Sequence, residues 1–257
     1  MRLLFVGDVV GKPGRAGLAR AMPGLRERHV PDLCVINGEN SAGGLGITER
    51  TGEDLFAMGF DVITLGNHTY RRREAYEYLD RAERVIRPSN FMTGSPGTGH
   101  VIVAAAGMRV CVINLIGMLH LQAARSPFAE VDMLLDRLEG QADAFVVDFH
   151  AEVTSEKVAM GWHLDGRVTA IFGTHTHVQT ADERLLPKGT AYLTDVGMTG
   201  PHDSIIGVTV EAALGRFVNG MPARFEAATG PARLNAIIIT ADPASGRALG
   251  IERLNPS

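Results

Sequence analysis

The sequence predicts an α/β protein. Short, fully apolar runs of strand length alternate with helical patterns from the first residues onward, and each run breaks into a loop of turn-forming and polar residues. Leu3-Leu4-Phe5-Val6, Leu33-Cys34-Val35-Ile36 and Val62-Ile63-Thr64-Leu65 are three such runs, each followed by a helical segment. Apolar residues at every position, instead of at alternate ones, mark strands covered on both faces, as in a mainly parallel sheet.

In order, the first strand ends in Gly7-Asp8-Val9-Val10-Gly11-Lys12-Pro13-Gly14. A helix follows from about Arg15 towards Arg28, with Pro23 expected to kink or split it. The second strand ends in Asn37-Gly38-Glu39-Asn40-Ser41-Ala42-Gly43-Gly44, and a helix is expected over 48–58 with Gly59 as its stop. The third strand ends in Gly66-Asn67-His68-Thr69-Tyr70, and a helix over 71–81 follows. Segments 100–105 and 108–115 read as a hairpin about Gly107. A helix over 128–138 precedes the strand Ala144-Phe145-Val146-Val147-Asp148-Phe149, which ends at His150-Ala151-Glu152. A short helix over 155–162 leads to the strand Val168-Thr169-Ala170-Ile171-Phe172 and then to Gly173-Thr174-His175-Thr176-His177. Lys188-Gly189 marks a second hairpin, and the remainder carries β-rich runs at 233–240 and 247–253. No repeat, low-complexity tract or linker divides the chain, so residues 1–257 are expected to form one domain.

Composition narrows the function classes. Of 257 residues, 45% are apolar and 21% charged, as in an ordinary globular chain. A net charge of −4 argues against an extended nucleic-acid or anionic-lipid surface. Cys34 and Cys111 both lie in apolar runs and read as buried thiols in a reducing compartment. No run approaches ~18 apolar residues, and the N-terminus shows no leader pattern, so a cytoplasmic location away from membranes is expected.

The strand ends carry the chemistry. The first presents Asp8, the second Glu39 and Asn40, the third Asn67 and His68, the fourth His150, and the fifth His175 and His177. Singly, each has a plain structural explanation: Asp8 capping a turn, Asn67 capping a helix, His150 as a hydrogen-bonded loop histidine. Five strand ends that all bear ligand-competent side chains, at the edge where open α/β sheets build their sites, point instead to a metal centre. Mixed nitrogen and oxygen donors suit Fe, Mn, Zn or Co. Seven or so donors exceed the needs of one hydrolytic ion, whereas two ions ~3.5–4 Å apart can activate a bridging hydroxide for attack on phosphorus.

Gly7-Asp8, Gly38-Glu39-Asn40, Gly66-Asn67-His68, His150 and Gly173-Thr174-His175-Thr176-His177 together resemble the calcineurin-like metallophosphoesterases. More narrowly, residues 7–15, 37–40 and 173–182 look like the YmdB-like bacterial branch of 2′,3′-cyclic-nucleotide phosphodiesterases. The resemblance implies two mixed β-sheets packed as a sandwich and flanked by helices, an α/β/β/α arrangement. It also implies two divalent or trivalent transition-metal ions, iron first, with manganese or zinc as alternatives. Asp8, Glu39, Asn40 and His177 would hold one ion, and Glu39, Asn67, His150 and His175 the other. His68 would be the general acid.

Val10 stands where the superfamily commonly has a histidine, Glu39 where it has an aspartate, and Thr69 where it has an acidic residue. The first two departures belong to the narrower branch, and Asn40 is placed to replace the missing imidazole through its amide oxygen. The expected substrate is a small cyclic nucleotide, and a homo-oligomer is allowed. The competing expectations are a phosphomonoesterase or nuclease with the same centre, and a nucleotide-sensing, partner-recruiting protein with little turnover.

Other features are less specific. Gly43-Gly44-Leu45-Gly46 lacks the Lys-Ser/Thr of a phosphate loop and reads as a flexible loop. Arg71-Arg72-Arg73, expected to open a helix, is either a solvated face or an attractor for anionic substrate. His202-Asp203 lies on a plausible site loop without an assigned role, and His29, His100, His120 and His163 read as surface or structural.

Overall fold

The computed structural model describes residues 1–221, 224 and 226–255. The chain runs β1 (Arg2–Val6), β2 (Asp8–Val9), α1 (Gly11–His29), β3 (Leu33–Asn37), α2 (Glu49–Ala57), β4 (Val62–Thr64), α3 (Ala75–Arg81) and β5 (Val85–Ile86). It continues through β6 (His100–Ala105), β7 (Met108–Ile116), α4 (Pro127–Arg137), β8 (Ala144–His150), α5 (Thr154–Leu164), β9 (Ala170–Thr174), β10 (Arg184–Leu185) and β11 (Ala191–Leu193). It closes with β12 (Met198–Pro201), α6 (Val210–Asn219), β13 (Ala232–Arg233), β14 (Ala236–Ala241) and β15 (Ala248–Leu254).

Two six-stranded mixed sheets form, in the orders β15-β14-β1-β3-β4-β5 and β10-β11-β9-β8-β7-β6. β1, β3, β4 and β5 are parallel, as are β7, β8, β9 and β11, and antiparallel strands finish both sheets. A small third sheet, β13-β12-β2, lies beside them.

The side-chain period of two explains the layering. Leu3 and Phe5 of β1 point into a core shared with Val110, Val146 and Phe172 of the other sheet, while Leu4 and Val6 pack with Leu18 and Met22 of α1. The Phe5 and Phe172 rings, 4.2 Å apart, join the two sheets. On the far side, Cys111, Val147 and Phe149 pack against Val131 and Leu134 of α4 and Met160 of α5. The result is the expected sandwich of two sheets between helices. Both cysteines are buried and unbridged, and burial pushes the thiols up, to about 11 for Cys34 and about 12 for Cys111. Among the described residues no helix is long and apolar enough to cross a membrane.

Several elements differ from expectation. α1 begins at Gly11 and passes through Pro23 unbroken. Pro23 and Ala19, the carbonyl partner it leaves unpaired, are both exposed, so water can satisfy that carbonyl. α3 starts only at Ala75, and Arg71–Arg73 lie in the preceding turn. There Arg72 donates to the carbonyls of Ala42 (2.8 Å) and Leu45 (3.1 Å), so the glycine-rich loop is anchored to this turn. Gly173 and Thr174 belong to β9 and not to the loop after it. α6 is a helix that the sequence reading did not anticipate; it ends on Gly220 in the left-handed conformation, and none of its residues is buried. The turn of the β6–β7 hairpin uses positive φ at both Ala106 and Gly107, which suits strand twist.

Candidate metal centre

β1, β3 and β4 end together in one sheet and β7, β8 and β9 in the other, and the packing of the sheets brings these two C-terminal edges to one end of the sandwich. All seven sequence-predicted ligands and His68 meet there. His150 Nε2 is the hub of one group: Asn67 Oδ1 lies 2.9 Å away, His175 Nδ1 3.1 Å and Glu39 Oε1 3.2 Å. Adjacent donors on an octahedral ion with bonds of ~2.1 Å would stand about 3.0 Å apart. Gly66 makes this approach possible, since a Cβ there would come within 2.3 Å of His150 Nε2 and 2.5 Å of Glu39 Oε2.

The second group is oxygen-rich. Asp8 Oδ1 and Asn40 Oδ1 are buried and have no hydrogen-bond donor among the described residues. Asp8 Oδ1 lies 4.0 Å from His177 Nε2, and its other oxygen accepts from His175 N at 3.3 Å. Asn40 Nδ2 is directed at Gly44 O (2.8 Å) and His68 Nδ1 (3.2 Å), which leaves its oxygen free for the centre. Unpaired buried oxygens are costly unless a cation or donor meets them. Their chemistry fits metal ions.

Each imidazole is fixed through its other nitrogen, as metal-binding histidines commonly are. His150 Nδ1 lies 2.9 Å from Thr174 Oγ1, which donates to Asp148 at 2.8 Å. An ionised carboxylate only accepts, so Thr174 gives its proton to Asp148 and accepts from His150 Nδ1, and the neutral ring then turns its Nε2 lone pair to the centre. His175 Nε2 is 2.8 Å from Glu152 Oε2, and His177 Nδ1 is 2.8 Å from Ile206 O. Both histidines sit at positive φ, 99° and 64°, where a β-carbon is strained. Thr176 between them donates to Asp195 Oδ2 at 2.7 Å, and Asp195 is held by the buried Lys157 Nζ at 2.6 Å.

The electrostatics favour cations. Burial, reinforced by Glu39 and Asp195, pushes the Asp8 carboxyl well above its usual range. Burial would likewise raise Glu39, but His150 and His68 hold it well below. Burial disfavours charged His150, yet Glu39, Asp8 and Asp148 outweigh it and hold the imidazole up at about 9. His175 is pushed down to about 3 by burial and by His150, and burial also lowers His177, so both offer neutral rings.

Sequence reasoning passed over the groups behind these ligands: Asn37, Thr64, Asp148, Glu152, Lys157, Thr174 and Asp195. Asp148 did leave a signal, as a lone carboxylate inside an otherwise apolar strand. Of the remaining candidates, His202 is 3.0 Å from Gly200 O and 3.3 Å from Asn235 Nδ2, and His163 pairs with Asp132 at 2.8 Å.

A two-sheet sandwich with carboxylates, amides and imidazoles gathered at its strand ends defines a metallophosphoesterase, a class whose relatives imply divalent metal ions. The 5′-nucleotidase precursor of Thermus thermophilus shares the fold, with a TM-score of 0.59 at 14% identity over 99% of this chain and 54% of that one. The YmdB-like protein family matches residues 4–254, and the chain belongs to it. The chain is 46% identical to the 2′,3′-cyclic-nucleotide 2′-phosphodiesterase of Bacillus subtilis, over 99% of its own length and 96% of the relative's. A Mycoplasma pneumoniae structure described as a novel phosphatase superposes with a TM-score of 0.94 at 34% identity, covering 100% of this chain and 93% of that one.

Proposed function

We propose that this protein hydrolyses small cyclic nucleotides, 2′,3′-cyclic nucleotides first among them, to 3′-monophosphates. In this reading residues 1–257 act as one domain, in the cytoplasm, with two transition-metal ions at the strand-end cluster. The observation that carries it is the convergence of Asn67, His175 and Glu39 donor atoms on His150 Nε2, at 2.9–3.2 Å. The substrate class follows the name of the B. subtilis relative.

Asp8, Glu39, Asn40 and His177 would hold one ion, and Glu39, Asn67, His150 and His175 the other, with Glu39 shared. Iron is the first choice for this mixed donor set, with manganese or zinc as alternatives. When bound, such a pair supplies an activated water and charge stabilisation for in-line displacement. The water oxygen bonds to phosphorus, the P–O2′ bond breaks, and O2′ needs a proton. His68 supplies it. Its Nδ1 faces Asn40 Nδ2 at 3.2 Å and Glu39 Oε1 at 3.0 Å, while Nε2 makes no hydrogen bond among the described residues. With Nδ1 donating to the Glu39 carboxylate, the imidazolium form carries its transferable proton on Nε2.

The test is turnover of metal-loaded protein on 2′,3′-cyclic AMP, 3′-AMP, bis-p-nitrophenyl phosphate and p-nitrophenyl phosphate, with products separated by chromatography. 3′-AMP should accumulate, with little inorganic phosphate. Efficient phosphate release from the monoesters, with the cyclic substrate inert, would assign a phosphomonoesterase. Binding of the cyclic nucleotide without turnover of any diester would assign a sensing protein.

A further inference from the structure

A cleft of about 590 Å³ opens directly beside Asn67, within the ~300–1,000 Å³ range of small-molecule sites. Its walls are Tyr70, Phe91, Ile116 and Leu121, with Arg71 and Gln122 among its polar groups. The centre described above uses none of these side chains.

The aromatic wall is built rigidly. The Tyr70 and Phe91 rings lie 5.7 Å apart at 37°, and the edge of Tyr76 meets Tyr70 at 5.4 Å. The Tyr70 hydroxyl donates to Pro96 O at 2.7 Å. Phe91 follows the fully buried Asn90, whose amide donates to Ile116 O (2.7 Å) and Arg125 O (3.0 Å) and accepts from Ile116 N (2.9 Å). Asn90 therefore ties the segment carrying Phe91 to the end of β7 and to the loop that forms the opposite wall. Phe91 and Tyr70 remain only partly covered, so aromatic surface is left for a ligand.

We propose that this cleft is the nucleobase subsite: a purine or pyrimidine lies against Phe91 and Tyr70 while its cyclic phosphate occupies the cluster at Glu39, Asn67 and His150. This rests on the phosphodiesterase reading and extends it from the reacting phosphate to the rest of the substrate. Every base offers a π-face to stack, so one aromatic wall accepts different bases. The other cleft at the centre, about 530 Å³ and lined by His177, His202 and Arg233 among others, has no Phe, Tyr or Trp among the described residues and offers no such wall.

The test compares Phe91→Leu, which keeps apolar bulk without a π-face, and Phe91→Ala with wild-type holoenzyme. Substrates are 2′,3′-cyclic AMP and ethylene phosphate, a five-membered cyclic diester with no nucleoside. Loss of one stacking contact should lower the kcat/KM ratio of the first substrate to the second roughly tenfold, mainly through KM. An unchanged ratio in both variants would overturn the subsite. Should wild type hydrolyse neither diester, the phosphodiesterase reading fails by itself. Equilibrium dialysis with adenosine then decides the cleft: about tenfold weaker binding to Phe91→Leu supports a base site, and equal or absent binding in both proteins rejects it.

Discussion

Replacing Asp148 by Asn probes the hydrogen-bond relay behind His150 while changing almost no volume. Asp148 accepts from Thr174 Oγ1 (2.8 Å) on one oxygen, and from Asn37 Nδ2 (3.2 Å) and Thr64 Oγ1 on the other. An amide must place its NH₂ at one of these positions. At the first, it donates to Thr174, which then turns its hydroxyl hydrogen towards His150 Nδ1. That drives the imidazole proton onto Nε2 and removes the lone pair aimed at Glu39 and Asn67. At the second, the NH₂ faces the Asn37 NH₂, and turning Asn37 over would withdraw its oxygen from Glu39 N, 3.1 Å away. Either arrangement disturbs a proposed ligand of the ion at His150. Loss of an orienting partner of this kind typically weakens metal binding about 10–100-fold. One buried donor left unpaired costs roughly 1–3 kcal/mol of stability. Chelator competition with metal counting reads the first effect, and urea unfolding of metal-stripped protein reads the second. Wild-type affinity for both ions in the variant would refute the relay as the device that sets the His150 tautomer.

Four further outcomes follow from the same geometry. Gly66→Ala should fold but lose metal and turnover, because its Cβ would lie 2.3 Å from His150 Nε2; full metal content by elemental analysis would contradict this. His68→Ala should lose turnover roughly 10²–10⁴-fold while keeping both ions; loss of metal in parallel would make His68 a ligand or support. Lys157→Met leaves buried Asp195 without its cation partner, 2.6 Å away in the wild type, and should cost about 3–5 kcal/mol in urea unfolding; a change below ~1 kcal/mol would show that the pair contributes little. In a chelator titration, Glu39→Gln should weaken both ions and Asn40→Ala only the oxygen-rich site, which equal damage by the two variants would disprove.

The line between what was legible and what was not runs through particular residues. Asp8, Glu39, Asn40, Asn67, His68, His150, His175 and His177 could be marked because strand ends are readable from apolar runs and ligand-competent side chains are few. Parallel strands deliver such ends to one edge within each sheet, but Asp8, Glu39 and Asn67 follow strands of one sheet while His150, His175 and His177 lie at strand ends of the other, so their meeting also depends on how the two sheets pack. Helix bounds were less legible. Pro23 suggested a break, but its exposed side of α1 lets solvent satisfy the missing bond. The segment 210–219 folds as a helix with no buried residue, although Val210, Ala213, Leu214, Phe217 and Val218 recur at helical spacing and that period was there to be read.

By itself, then, the sequence determined the alternation of strands and helices, the strand ends that bear the site, and the donor types gathered there, because these depend on local apolar patterning and side-chain chemistry; the two-sheet layering was implied by the family resemblance and not by that patterning. Only the tertiary structure decided which nitrogen each histidine turns inward, which groups hold it there, and what lies alongside. Asp148 meets Thr64 and Asn37 across 84 and 111 residues of chain, and the cleft walls come from separate turns and loops. Such contacts arise when two sheets pack face to face and individual side-chain conformations are chosen, and no local pattern in the chain records either event.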